Sequence, residues 1–423
     1  MGLPAIHRRM LLVVAGLLVL TLVGMVALWP RADDLPGAEA EVPDLVTAEV
    51  VAVETILDDP DPALGGSGEL LVVTLELLGG DEVGELVDLE VVPEGYPPFV
   101  VGDRVELDRV LIDGEEPAWF IVDFRRLPTL WLLLGLFVLA VIAVGGWHGL
   151  RSLLGLAISL LIVVYFVVPA ILVGRNPPLV AIVGAIAIMI VTLYLAHGVN
   201  EMTTSAIIGT GGALLLTVGL AVVIVDRAKI TGYASDEANL VSFAFEGLDL
   251  QGLVLAGLII AALGVLDDVT VSQASTVFAL HDTDRTLSWS ALFSRAMKVG
   301  RDHIASVVNT LFLAYAGASL ALLVLFSTSG LPATEIVNSE VFAEELVKTV
   351  IGSLGLIAAV PFTTALAARV AVSRASEPAH DPGPAARPGV EPDDPDDLDE
   401  EQRAQRSWAR YLDERGDGPH DAG

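Results

Sequence analysis

Cysteine is absent from the 423 residues, and its absence excludes several kinds of chemistry. Without thiols the chain has no disulfide framework, no thiolate nucleophile and no zinc site built on cysteine. The H-E-x-x-H motif of zinc peptidases and the G-x-S-x-G motif of serine hydrolases are also missing. His197 and Glu201 are four residues apart, but two ligands without a third make a weak metal site. We therefore expect no enzymatic activity, no cofactor and no metal centre.

Basic residues are scarce. The sequence holds 23 lysines and arginines against 54 aspartates and glutamates, a formal charge of −31. Much of the excess lies in residues 31–127, with 25 acidic and 5 basic side chains. Nucleic acids and anionic lipid headgroups are recognised by basic patches. The charge balance therefore argues against nucleic acid as a partner and leaves a protein partner open for this acidic segment.

Long apolar runs, in contrast, dominate the sequence. Hydrophobic residues make up 53% of the chain and its mean hydropathy is +0.66. Residues 10–29 follow Arg8 and Arg9, and the run is long enough for a retained transmembrane anchor with its N-terminus in the cytoplasm. Seven further spans are predicted at 128–147, 151–173, 178–196, 203–225, 250–266, 303–326 and 346–369. Eight spans would return the C-terminus to the cytoplasm and place residues 31–127 outside.

Residues 31–127 have the pattern of a small all-β domain. Short segments alternate apolar with polar residues, and turn residues separate them. The predicted strands are Val46–Val53, Leu70–Leu77, Glu85–Val92, Arg104–Ile112 and Ala118–Phe124. The turn Val101-Gly102-Asp103-Arg104-Val105 is common in small barrels that resemble the OB-fold, so we predict an extracytoplasmic, OB-like acidic domain.

The sequence thus predicts an α-helical polytopic membrane protein in four parts. An N-terminal helix covers 1–30, the β domain 31–127, a seven-helix membrane domain 128–370 and a disordered acidic cytoplasmic tail 371–423. Between spans, Trp289, Leu292 and Ala296 recur at helical spacing. This amphipathic segment would lie at the cytoplasmic interface or pack against the bundle. Small residues on the span 203–225 predict close helix packing; they are Ser205, Gly209, Gly212 and Gly219.

Two adjacent carboxylates end the apolar run that begins at Leu250. Asp267 and Asp268 are about 100° apart on a helix, so they cannot both face one cavity. Ser272 and Ser275 follow Asp268 at helical spacing and form a polar stripe with it. Lipid does not tolerate such a stripe, so we expect it to face protein or water, and the alternative is a helix end that meets headgroup water. This favours Asp268 over Asp267.

A second polar face begins at Gly300. Asp302, Ser306, Asn309 and Thr310 fall on one side of the span that follows. An unpaired amide within hydrocarbon is costly, so Asn309 should find a partner, either in helix–helix adhesion or in a cavity shared with Asp268. Arg301 is placed to neutralise Asp268 or Asp302.

These two segments resemble the YibE/YibF-like family of multi-pass membrane proteins. The stretch from Gly264 to Ser275 resembles the family signature G-x-x-x-D-V-x-x-S-x-x-S, with Asp268 as its aspartate. Gly300-Arg301-Asp302, Asn309-Thr310-Leu311 and Leu313-Ala314-Tyr315 resemble a second motif. The likeness extends over about residues 128–370, and Asp267 stands where an apolar residue is commoner. The resemblance implies a bacterial plasma-membrane protein, regarded as permease-like.

Two functions follow as hypotheses. The first is a permease that moves a small solute or ion along a polar face near Asp268 and Asn309. The second is a non-transporting scaffold or signalling protein whose outer β domain and acidic tail bind partners. In both, the lipid bilayer surrounds the membrane domain.

Overall fold

The computed structural model describes residues 5–31, 45–57, 69–80, 82–93, 96–110, 118–245 and 247–375. The chain divides into two units, Met1–Val372 and Ser373–Gly423. Of the predicted tail over 371–423, the first five residues are helical, and the remainder lies outside the described residues.

All five predicted strands are present, in one antiparallel sheet. They are β1 (Val46–Leu57), β2 (Glu69–Leu77), β3 (Leu86–Val91), β4 (Arg104–Val110) and β5 (Ala118–Phe124). Alternate residues such as Val73, Leu75 and Leu107 point to one side, where they form a small apolar core. The hydrogen-bonded order is β3-β2-β1-β4-β5. A closed barrel would pair β3 with β5, and within the described residues these strands are the edges, so the OB-like assignment stays a prediction.

The remaining regular elements of the described chain are helices. The helices are α1 (Ala5–Leu28), α2 (Leu127–Ile162), α3 (Val168–Leu172), α4 (Pro177–His197), α5 (Glu201–Arg227), α6 (Asp236–Ala244), α7 (Leu250–Thr283), α8 (Trp289–Ala318), α9 (Leu320–Thr328), α10 (Ala333–Asn338) and α11 (Glu340–Ala375). A π-helical turn, Val163–Val167, joins α2 to α3.

Side-chain caps fix the starts of the central helices. Asn176 Oδ1 accepts a hydrogen bond from Leu179 N (3.0 Å), Asn200 Oδ1 from Thr203 N (2.8 Å) and Asp249 Oδ1 from Gly252 N (2.8 Å). Each cap satisfies one of the free N–H groups of a first helical turn. The starts of α4, α5 and α7 are therefore encoded locally.

Six helical segments in the described residues are long and apolar enough to cross a membrane, or seven if α8 and α9 form one bent span. The predicted count of eight is not confirmed, because the predicted spans 128–147 and 151–173 fall in one apolar segment, Leu127–Leu172. That segment is broken at Gly146, whose φ of 54° is outside the helical region. A Cβ on Gly149 would lie 2.3 Å from the carbonyl oxygen of Val141, whereas residues eight apart in an unbroken helix are separated by about 12 Å along its axis. The chain therefore bends sharply at Gly146.

The bundle core forms around α7. This helix packs against α4 and α5, and α1 lies against the same pair. The predicted amphipathic segment is the first part of α8, where Leu292 and Ala296 are fully buried, so it packs against the bundle. The predicted exit from the membrane at residue 266 is not the end of α7, which continues without a break to Thr283.

Candidate functional site: a buried carboxylate in the helix bundle

The two adjacent aspartates point to opposite environments. Asp267 turns into the bundle and its Oδ1 is buried, whereas Asp268 is exposed on the outer face of α7. Asp267 is the eighteenth residue of α7, about 26 Å along the helix from Leu250. The expected angular separation of the two side chains is present, but the inward carboxylate is Asp267 and not Asp268.

Asp267 has one weak hydrogen-bond partner. Thr192 Oγ1, on α4, lies 3.4 Å from Asp267 Oδ2. The same hydroxyl is 2.8 Å from the carbonyl oxygen of Ile188, to which its single proton is better donated. Within the described residues, Asp267 Oδ1 accepts no hydrogen bond and no ion pair reaches this carboxylate. Its charge is thus not compensated by a fixed cation in this part of the chain.

Two buried threonine hydroxyls lie one turn further along α7 from Asp267. Thr270 Oγ1 donates to the carbonyl oxygen of Asp267 (3.1 Å) and lies 2.5 Å from Thr210 Oγ1 on α5. Thr210 and Thr270 are both fully buried. Gly209, the residue before Thr210 on α5, packs against Thr363 of α11, whose Oγ1 is buried without a partner in the described ranges. We define the buried polar centre as Thr192, Thr210, Asp267, Thr270 and Thr363.

Gln273 forms a separate buried junction. Its Nε2 donates to the carbonyl oxygen of Ala296 on α8 (3.1 Å) and to Thr364 Oγ1 on α11 (2.7 Å). A side-chain amide with two satisfied donors inside a bundle fixes helix positions and is not free to bind a ligand. Gln273 therefore holds α7, α8 and α11 together beside the polar centre.

The loop after α7 is stabilised by Asp284. The Thr286 hydroxyl and backbone N–H donate to Asp284 Oδ1, at 2.6 and 3.1 Å. These bonds hold the pKa of Asp284 below its ordinary value, and the nearby charges of Arg295 and His281 act in the same direction. The ionised carboxylate thus stabilises the turn that returns the chain into α8.

The remaining residues of the predicted site lie on outward faces. Ser272 and Ser275 are exposed with Asp268 on α7, and the predicted residues of α8 are exposed as well: Arg301, Asp302, Ser306, Asn309 and Thr310. Within the described residues no ion pair joins Arg301 to Asp268 or to Asp302. The two predicted faces do not enclose a cavity inside the bundle of a single chain.

Sequence reasoning missed the threonines on other helices: Thr192 contacts the Asp267 carboxylate, Thr210 contacts Thr270, and Thr363 packs against Gly209. They come from three other helices and stand in largely apolar sequence, with Thr364 directly after Thr363. Such residues are read as ordinary helix-back-bonding hydroxyls until the packing is known. In the described ranges no group of three or more His, Cys, Asp or Glu side chains is arranged to hold a metal ion.

The long apolar helices and the polar centre within them define an integral membrane protein of the helical class. A family model described as YibE/F-like protein matches residues 133–373, more than half of the chain, and the chain belongs to this family. The resemblance read from the two motifs is confirmed. No curated protein and no solved structure matches the chain.

Proposed function

We propose that this protein is a permease of the bacterial plasma membrane that moves a small solute or ion and uses Asp267 to carry the coupling charge. The observation that supports the proposal is the buried Oδ1 of Asp267, which has no hydrogen-bond partner in the described part of the chain. Ionisable groups within membrane helices are costly and mark ion or proton pathways. A carboxylate without a fixed cationic partner can take up a proton or a cation from one side and release it to the other.

The threonines of the buried polar centre are compatible with transport of either a proton or a cation. A hydroxyl donates one hydrogen bond to an ionised carboxylate and offers two lone pairs to a cation. Thr192 is within 3.4 Å of Asp267, and the Thr210–Thr270 pair lies one turn away. The centre therefore offers an oxygen-lined position that works with a proton on Asp267 or with a small cation beside it.

The outward polar face of Asp268 and Asn309 stays a predicted pathway. Both side chains are exposed on the single chain. Because a carboxylate and an amide facing lipid are costly, this pathway requires a second protein molecule to enclose it. The inward Asp267 needs no such addition, which is why we place the coupling charge there.

We propose a topology of eight crossings with both termini in the cytoplasm and the β domain outside. The bend at Gly146 supports two crossings within Leu127–Leu172, because 46 residues would form about 69 Å of straight helix against a hydrocarbon thickness of about 30 Å. Arg8 and Arg9 support the cytoplasmic position of the N-terminus.

Cysteine labelling tests this topology cleanly, because the native sequence has no cysteine. We expect an impermeant maleimide added outside intact cells to label Arg126→Cys and Arg175→Cys. His148→Cys, next to the bend, should react only after permeabilisation. If Leu127–Leu172 crossed once, Arg126→Cys and Arg175→Cys would react from opposite sides.

A scaffold or signalling role is the alternative. The exposed Asp268 and Asn309 faces favour it, since a polar face turned away from the bundle suits a protein partner. The β domain, for which we keep the OB-like barrel as a proposal, and the acidic tail would bind further partners. Full function in a chain lacking residues 31–127 would count against this alternative.

The accessibility of the Asp267 carboxyl can be tested chemically. A hydrophobic carbodiimide reacts with a protonated carboxyl in an apolar environment, so we expect it to modify the inward Asp267 in preference to Asp268 on the outer face of α7. Peptide mass spectrometry of the purified protein locates the adduct. Modification should fall in alkaline buffer, because the carboxyl loses its proton. Protection by Na⁺ would identify a cation as the transported ion. An adduct confined to Asp268 would contradict the assignment.

A further inference from the structure

A second polar site lies where a membrane helix is broken. The axes of α8 and α9 differ by 64°, and Ser319 is the single residue between them. Ser319 does not cap α9 with its side chain, and its hydroxyl instead lies 3.4 Å from Glu345 Oε2 on α11. Broken helices in membrane transporters occur where the freed backbone and nearby side chains line a binding site.

Three charged side chains stand beside this break on α11. Lys348 Nζ is 2.8 Å from Glu344 Oε1 and 2.9 Å from Glu345 Oε1. One ammonium group is thus shared by two carboxylates, which leaves one negative charge in surplus. Of the two, Glu345 is the carboxylate that reaches the break, and within the described residues its Oε2 has only the long contact with Ser319. A carboxylate oxygen has two lone pairs, so Glu345 keeps capacity for a further donor or cation.

A cavity of about 160 Å³ adjoins Glu345 and Ser319. This volume equals about five water molecules, which suits a group of five or six non-hydrogen atoms. Three aromatic rings contribute to its wall: Phe312, Tyr315 and Phe342. Aromatic faces attract cations, and rings combined with a carboxylate are the usual recognition site for alkylated ammonium groups.

We propose that this cavity binds a small organic ammonium ion, with Glu345 as its counter-ion and the three rings as its walls. The surplus negative charge selects a cation, and the apolar, aromatic wall selects an alkylated nitrogen over a bare metal ion, which needs several oxygen ligands. The described residues hold no group of three or more acidic or histidine side chains that could supply such ligands. The site is distinct from the buried polar centre and does not depend on the role proposed for Asp267.

Titration of the full-length protein in lipid nanodiscs tests the proposal. Tetramethylammonium and choline are added, and binding is followed by calorimetry and by the rise in Tm. We expect both to bind, and we expect the neutral isostere of choline, in which carbon replaces nitrogen, not to bind. Glu345→Gln should weaken binding by about tenfold or more, because a charged partner is lost. Glu335→Gln, which removes the same charge from exposed α10 outside the cavity, should bind as the native protein does.

Two further variants keep the test decisive if Glu345→Gln does not fold. Phe342→Leu retains the charges and removes one ring, and it should weaken choline while sparing the fold. Asp267→Asn should leave ammonium binding unchanged, so failure of the permease proposal and failure of this one are distinguishable. Equal affinity for choline and its neutral isostere, full affinity in Glu345→Gln, or no binding of either cation would overturn the proposal.

Discussion

Replacement of Asp267 by asparagine should reduce coupled flux to the level of empty vesicles while making the protein more stable. Asparagine fills nearly the same volume and still hydrogen-bonds Thr192, but it cannot take up a proton or neutralise a cation. The same change removes the cost of an uncompensated buried carboxylate, and we expect a gain of about 1 kcal/mol, as is common when a functional group is removed from a strained site. Flux is measured in proteoliposomes with a pH-sensitive dye under an imposed potential, and stability by thermal unfolding.

Asp268→Asn is the matched control. It makes the same chemical change on the next residue of α7, on the exposed face. We expect flux close to that of the native protein and an unchanged Tm. A loss of flux in Asp268→Asn with normal flux in Asp267→Asn would return the site to the outward face. Normal flux in both variants would contradict a coupling role for either carboxylate and favour the scaffold alternative.

The fold could be predicted wherever the information is local. Alternation identified the five strands, and uninterrupted apolar runs identified the membrane helices. The predicted span ends at residue 266, because the polar residues from Asp267 onward resemble the end of a span, while α7 itself continues to Thr283. The helix continues because Thr270 and Gln273 are satisfied by Thr210, Ala296 and Thr364 on other helices, and this pairing is invisible in the sequence.

The candidate site also combines features that local sequence predicts with features that depend on other helices. Helical period alone separates Asp267 from Asp268, but it does not say which of the two faces the bundle. The serine stripe favoured Asp268, although an exposed helix face carries serines as readily as a cavity does. Which of the two faces the bundle depends on the positions of α4 and α5, whose residues Thr192 and Thr210 lie 75 and 57 positions before Asp267. The contact of Ser319 with Glu345 could not be predicted either, because the two residues are 26 positions apart.

Gly209→Ala should destabilise the bundle, because α5 and α11 meet through a reciprocal pair of glycines and threonines. A Cβ on Gly209 would lie 2.2 Å from Thr363 Oγ1, 3.0 Å from its Cβ and 3.1 Å from its Cγ2. Eight residues further along α5, Thr217 packs over Gly355 of α11 in the same way. A Cβ on Gly355 would lie 2.2 Å from Thr217 Oγ1. Rotation of Thr363 cannot clear all three contacts, so the helices must separate. We expect a loss of about 1–3 kcal/mol, measured as a fall in Tm.

Gly219→Ala supplies the control on the same helix. The small-residue stripe predicted close packing at Gly209, Gly212 and Gly219, and the structure shows it at the first two, while nothing lies within 4 Å of a Cβ on Gly219. This variant should be neutral or stabilising by up to about 1 kcal/mol, since alanine favours the helix. Thr363→Ala should recover most of the stability lost in Gly209→Ala, because it removes two of the three crowded atoms. Additive losses in that double variant would show that the two helices do not meet at this pair, because residues in contact are expected to couple.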